Sequence, residues 1–260
     1  MRRLRKIRWV ALRISFLCLV KVVVHHLGFE LIAVNQLFSA LVASTVFLLG
    51  FLLSGVLQDF KESEKIPGEL ATSLESLLLE IQAIPAYHPE ARVGRAMVAV
   101  VGLGQAIVDW LHELMSTDQL LTHYRVVHRE VVGAAVQFKG DASTLRGRLM
   151  AEMAVVLQKV NRIQQIRDTT FVPLVYWMAD ITAFLLVTGL VMSKTDNILE
   201  SVFFLAVISF VVILLLRLID DIDNPFGASD PISAEDVSIE LLERAVERLK
   251  AIVPVHEAAS

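Results

Sequence analysis

Four apolar segments, two near each end of the chain, flank a far more polar stretch and restrict it to folds that sit in a bilayer. Ile198 to Leu216 carries one charge, Glu200, and at about 1.5 Å per residue is long enough to cross about 30 Å of hydrocarbon. Phe171 to Met192 passes the same length test, and Gln36 to Leu57 passes it without a formal charge. The first segment, between Trp9 and Val34, carries Arg13, Lys21, His25, His26 and Glu30. A charge at mid-bilayer costs about 3 kcal/mol on insertion scales, so this segment needs protein neighbours. The expected fold is all-α: an integral membrane protein with four transmembrane helices and a cytoplasmic helical region. Residues 1–57 form an amino-terminal membrane part, with spans at about 9–34 and 36–57. Residues 58–170 form the helical region, 171–219 a second membrane part with spans at about 171–192 and 198–217, and 220–260 a tail.

Composition fits a membrane part joined to a water-facing part. A hydrophobic content of 55% with a mean hydropathy of +0.61 is high for a soluble domain, whereas 20% charged residues is high for a chain buried in lipid. Cys18 has no intrachain partner, so no disulfide contributes. No secretory cleavage pattern follows the first apolar segment, which is read as retained. Arg2, Arg3, Arg5, Lys6 and Arg8, then Lys61, Lys65, Arg162, Arg167 and Arg217, fall on one side of the four spans, and Lys194 alone falls on the other. Positive residues mark the cytoplasmic side, so both termini and the middle segment are expected there, in a cell (inner or plasma) membrane.

The middle segment reads as helices. Leu70, Leu74, Leu77, Ile81 and Ile84 recur at helical spacing after Pro67 and stop before Pro85. A second run covers about Val93 to Met115. Ser116 and Gln119 box the start of a third, which ends near Gly140, and Ser143 to Asp168 carries a stripe from Leu145 to Ile166. In the tail, Ser233 and Asp236 form a capping pattern before an amphipathic run, Val237 to Ile252.

Enzyme chemistry finds little support. Gly102 to Ile107 after an apolar run imitates a dinucleotide-binding turn, but Ile107 stands where the third glycine belongs, and a buried helix with glycines at a close crossing is the better account. His112 neighbours Asp109 and Glu113, and His123 and His128 lie five apart, a spacing unsuited to joint metal ligation. There is no phosphate-loop GK[ST], HExxH or nucleophile elbow. No enzyme, cofactor, metal site or nucleic-acid partner is expected.

The second span holds the informative pattern. Ala40, Ser44, Phe47, Phe51, Ser54 and Gln58 recur at alternating steps of four and three, one helical stripe of small, hydroxyl and aromatic groups. Such a stripe suits a pore wall; the competing account is that the phenylalanines pack between helices of one subunit. Gln58 to Lys65 continues the span as a highly charged stretch.

Three patches resemble the bestrophins and their bacterial relatives. Phe47 to Phe51 (FLLGF) is similar to the family's aromatic neck motif, Asp59 to Leu70 (DFKESEKIPGEL) to the stretch that follows it, and Asn224, Pro225, Phe226 and Gly227 to its NPFG signature. The resemblance implies a pentamer with a central pore that mostly passes anions, although some bacterial members pass cations. It places Phe47 and Phe51 as rings of the pore neck and Ala43 at a third, usually bulkier, position. Two departures bear on gating and selectivity: Asp59 stands for the usual arginine and Pro67 for the usual tryptophan. Ala228, Ser229, Asp230 and Pro231 replace the acidic run that helps bind calcium in eukaryotic members, so calcium activation is not expected. Asp220, Asp221 and Asp223 read as a solvated helix end.

The expectation is an oligomeric channel whose partners are lipid, permeant anions and its own copies, five subunits favoured. A non-conducting scaffold presenting the cytoplasmic helices is the alternative, and a transporter or enzyme using intramembrane charges a weaker third. Asp180 lies about 13 Å and Lys21 about 18 Å from the cytoplasmic ends of their spans, so the two are expected to pair, with Arg13 the alternative partner of Asp180.

Overall fold

The structure, a computed structural model, describes residues 2–136, 142–168, 173–223, 225–226 and 237–253, without the side chains of residues 2–7, 87, 142 and 173. In chain order it contains α1 (Arg2–Leu27), β1 (Ile32–Ala33), α2 (Gln36–Ser63), α3 (Ile66–Tyr87), α4 (Gly94–Leu111), α5 (Thr117–Val136), α6 (Ala142–Asp168), α7 (Pro173–Val191), β2 (Ser193–Lys194), α8 (Ile198–Asp223) and α9 (Glu240–Ile252). The chain divides into two units, and the first boundary falls between Phe60 and Lys61.

One unit joins α1, α7, α8 and most of α2. Long runs of Leu, Val, Ile and Phe form helices here because a helix satisfies its own backbone where lipid offers no partners. α1 packs against α7 and α8, and α7 against α8. Leu49, Leu52 and Val56 of α2 share a core with Ala179, Ala183, Leu186 and Leu190 of α7 and with Leu205 and Val212 of α8. Gly189 lets the Phe38 ring approach α7, since a Cβ there would lie 3.0 Å from it. After α1 and α7 the chain enters β1 and β2, which pair in parallel, Ile32 with Ser193 and Ala33 with Lys194. The segments that leave the two helices are therefore joined beyond their ends.

Helix boundaries differ from expectation in several places. The first span stops at Leu27 instead of reaching Val34: Gly28 adopts φ +72°, and Gly28 N–H donates to the His25 carbonyl while Phe29 N–H donates to that of Val24. This paired closure favours glycine at the left-handed position and ends the helix whatever the hydropathy beyond it. α2 continues past Leu57 to Ser63, so the charged stretch after the span is helical. α3 runs through Pro85 to Tyr87, because a proline in the last turn forfeits only one intrahelical bond. α9 begins at Glu240, and its expected caps, Ser233 and Asp236, lie outside the described residues.

The second unit is a helical bundle of α3, α4, α5, α6 and α9. α3 packs on α4, α6 and α9, and α4 on α5 and α9. Leu70, Leu74, Leu77, Leu78 and Ile81 of α3 are fully buried, as are Leu149, Val156 and Ile163 of α6. The box at the start of α5 forms as expected: Gln119 N–H donates to Ser116 Oγ at 3.3 Å and Ser116 N–H to Gln119 Oε1 at 2.9 Å. Arg148 with Glu80 and Arg248 with Glu75 tie the outer surfaces of the helices; pairs this exposed contribute about 1 kcal/mol at most.

Five described helical stretches are long and apolar enough to cross a membrane: Arg8–Leu27, Gln36–Ala86, Gly94–Leu111, Leu174–Val191 and Ile198–Asp223. Half of the Gly94–Leu111 window (50%) is buried within the chain, against 11% to 33% elsewhere, which marks α4 as a core helix of the bundle. The run Gly102 to Ile107 lies inside this helix. A Cβ on Gly104 would sit 3.0 Å from Val246 of α9, whereas one on Gly102 would meet nothing within 4 Å. Gly104→Leu is thus expected to cost about 1 to 3 kcal/mol through overpacking. Gly102→Ala is expected to stabilise by up to about 1 kcal/mol through helix propensity. Thermal midpoints of the two variants in one detergent check both signs.

Candidate pore-lining face of the second helix

α2 has two unlike faces. Thr45, Leu49, Leu52 and Val56 are buried, and the Thr45 hydroxyl is satisfied by donating to the Leu41 carbonyl at 2.9 Å. Ala40, Ala43, Ser44, Phe47, Phe51, Ser54 and Gln58 all lie on the opposite, exposed face, with Phe47 76% and Phe51 64% accessible. The competing account, in which these phenylalanines fill gaps between helices of one chain, requires them to be covered by it, and they are not.

Exposure alone also describes a face turned to lipid. Leu12, Phe16 and Leu19 on α1 and Trp177 and Phe184 on α7 are comparably exposed. The α2 face differs in chemistry. Two alanines, two serines and a glutamine interrupt its aromatics, which gives narrow apolar levels separated by short polar ones. Phenylalanine edges carry positive partial charge, so such a level tolerates an anion better than an aliphatic wall would.

The expected pair of Lys21 with Asp180 is absent. Lys21 is fully buried, and its ammonium donates to Glu30 Oε1 at 2.8 Å and to the Ser193 carbonyl. Asp180 is exposed on α7. The reason lies in the helix ends. Lys21 precedes the end of α1 by six residues, about 9 Å, whereas Asp180 precedes the end of α7 by eleven, about 16 Å, and the segments beyond these ends pair with each other. Once Gly28 ends α1, Glu30 belongs to the linker and turns back onto Lys21, and His25 Nδ1 lies 3.1 Å from the same carboxylate oxygen. The hydrogen bond from Lys21 holds the Glu30 carboxyl below its ordinary value of 4.5. A depressed carboxyl contributes stability that is complete above that value and is lost as the pH falls through its lower folded value. The thermal midpoint is accordingly expected to fall below about pH 4.5, and to do so less in Glu30→Gln.

Of the NPFG run, Pro225 and Phe226 are buried, and Asn224 and Gly227 lie outside the described residues. Arg167, at the end of α6, reaches across the bundle to this run. Its guanidinium donates to the Phe226 carbonyl at 3.1 Å and the Leu111 carbonyl at 3.0 Å, and lies over the Trp110 ring at 4.7 Å. Burial pushes the Arg167 guanidinium below its ordinary value. In the sequence Arg167 reads only as a topology marker, because no local spacing links it to Trp110 or Phe226. Among the described residues no group of three or more His, Cys, Asp or Glu could hold a metal ion.

No family model and no curated protein matches the sequence. Solved structures do. A bacterial bestrophin homologue from Klebsiella pneumoniae aligns with a TM-score of 0.72 at 15% identity, over 94% of this chain and 98% of that one. A mutant form of the homologue aligns at 0.71 and 16%, over 92% and 98%. A structure described as a membrane protein aligns at 0.70 and 15%, over 94% and 97%. The chain has a bestrophin-like fold: an all-α, multi-pass membrane architecture that extends along nearly its whole length.

Proposed function

We propose that this chain is one protomer of a cyclic ion channel, five subunits favoured, that passes anions such as chloride along a central axis lined by α2. Phe47 and Phe51 form two narrow rings, Ala43 leaves a third level wide, and Ala40, Ser44, Ser54 and Gln58 complete the wall. The observation that carries this reading is the mixed small, hydroxyl and aromatic face of α2, which its own chain leaves uncovered. A ring of subunits closes such a face around an axis. The likeness to bestrophin homologues supports the same reading. Basic residues on one side of the spans support a topology with both termini and the helical bundle in the cytoplasm and the protein in the cell membrane.

The alternative of a non-conducting scaffold keeps the same spans and presents the bundle to a partner. Mass in mild detergent together with chloride flux from loaded liposomes separates the two. The channel reading requires a closed oligomer and flux. A monomeric mass, or an oligomer silent under every gradient and pH tried, would favour the scaffold.

A further inference from the structure

Arg13 of α1 and Arg217 of α8 converge on one indole. The guanidinium carbon of Arg13 lies 3.6 Å from the centroid of the Trp9 ring and that of Arg217 lies 5.4 Å from it. Among the described residues neither arginine has a carboxylate within ion-pair distance, although Asp220, one turn beyond Arg217, is within its electrostatic reach. Two like charges brought together this way are stabilised by an anion, and guanidinium groups match phosphate oxygens in a planar, two-pronged fashion.

The location identifies the source of that anion. Trp9 stands about 27 Å before the end of α1, and Arg217 about 29 Å beyond the start of α8, close to the thickness of a hydrocarbon core. Both therefore lie at headgroup level on the side away from β1 and β2, where tryptophan is favoured. From Trp9 an exposed apolar stripe, Leu12, Phe16, Leu19 and Val23, runs along α1 toward the membrane centre at helical spacing. A headgroup at the arginines places its acyl chains on this stripe, which a free phosphate has no use for.

We propose that Trp9, Arg13 and Arg217 form a binding site for the phosphate of an anionic membrane lipid, with the α1 stripe as its acyl-chain track. The site is distinct from the conduction path and stands whether or not the protein conducts.

The test uses the full chain in mild detergent, titrated with phosphatidylglycerol or phosphatidylcholine while retained lipid is counted by native mass spectrometry. Phosphatidylglycerol should bind on the order of tenfold more tightly, since each basic residue near a charged lipid surface adds to the attraction. Arg13→Gln with Arg217→Gln should abolish the preference while oligomeric mass and thermal midpoint in phosphatidylcholine micelles stay unchanged. Arg13→Gln alone, at an exposed position, should reduce it if the double variant does not fold. Equal retention of both lipids by the wild type, or a preference that survives both substitutions, would overturn the proposal. Displacement of bound phosphatidylglycerol by millimolar inorganic phosphate would overturn the lipid source and leave an oxyanion site.

Discussion

Phe47→Ala and Phe51→Ala are each expected to raise chloride flux severalfold in liposomes, with the folded protein retained. Each substitution removes a large apolar wall from a constriction that blocks ions by expelling water. Both side chains are mostly exposed within their own chain, so truncation opens no cavity inside the protomer. Were they instead packed in a scaffold core, each truncation would cost about 3 to 5 kcal/mol and produce no flux. Flux and thermal midpoint measured on the same preparations read both quantities at once: higher flux at a nearly unchanged midpoint supports the neck, and a lowered midpoint with zero flux supports the core.

Lys21→Met is expected to be the most destabilising single change in the membrane unit. The ammonium is fully buried and links the Glu30 carboxylate to the Ser193 carbonyl, so it joins the linker after α1 to the strand after α7. Removing one partner of a buried pair costs about 3 to 5 kcal/mol because the other is left uncompensated. Adding Glu30→Gln should recover part of that loss, whereas Asp180→Asn, at an exposed position away from the pair, should recover none. Thermal midpoints of the four proteins in one detergent decide this, and recovery by Asp180→Asn would restore the pairing that the sequence reading favoured.

The mispairing of Lys21 traces to a helix end that hydropathy does not mark. Hydropathy located the apolar helices α1, α2, α7 and α8 because length and composition alone decide whether a segment can cross lipid. It could not locate the end of the first, since Leu31 to Val34 remain apolar after Gly28 has already turned the backbone. Depth along a helix depends on where the helix ends, so an error at Leu27 put Lys21 level with the wrong acid. The α2 stripe was legible as a periodicity, but which side of it the chain covers depends on packing by α7 and α8. Ser116 and Gln119 were legible because a capping box is local. Arg167 with Trp110 and Phe226, and Arg217 with Trp9, join residues far apart in the chain, and no window of sequence contains them.

In a channel the Phe51 face of α2 lines water rather than lipid or protein. A cysteine placed there on a Cys18→Ser background tests it directly, because Cys18 is the chain's sole cysteine. Thiolates form and react only where water reaches them. In reconstituted Cys18→Ser/Phe51→Cys protein, a charged water-soluble thiosulfonate reagent should modify the new cysteine and change chloride flux, while Cys18→Ser alone is unaffected. An unmodified cysteine with flux unchanged would contradict the account.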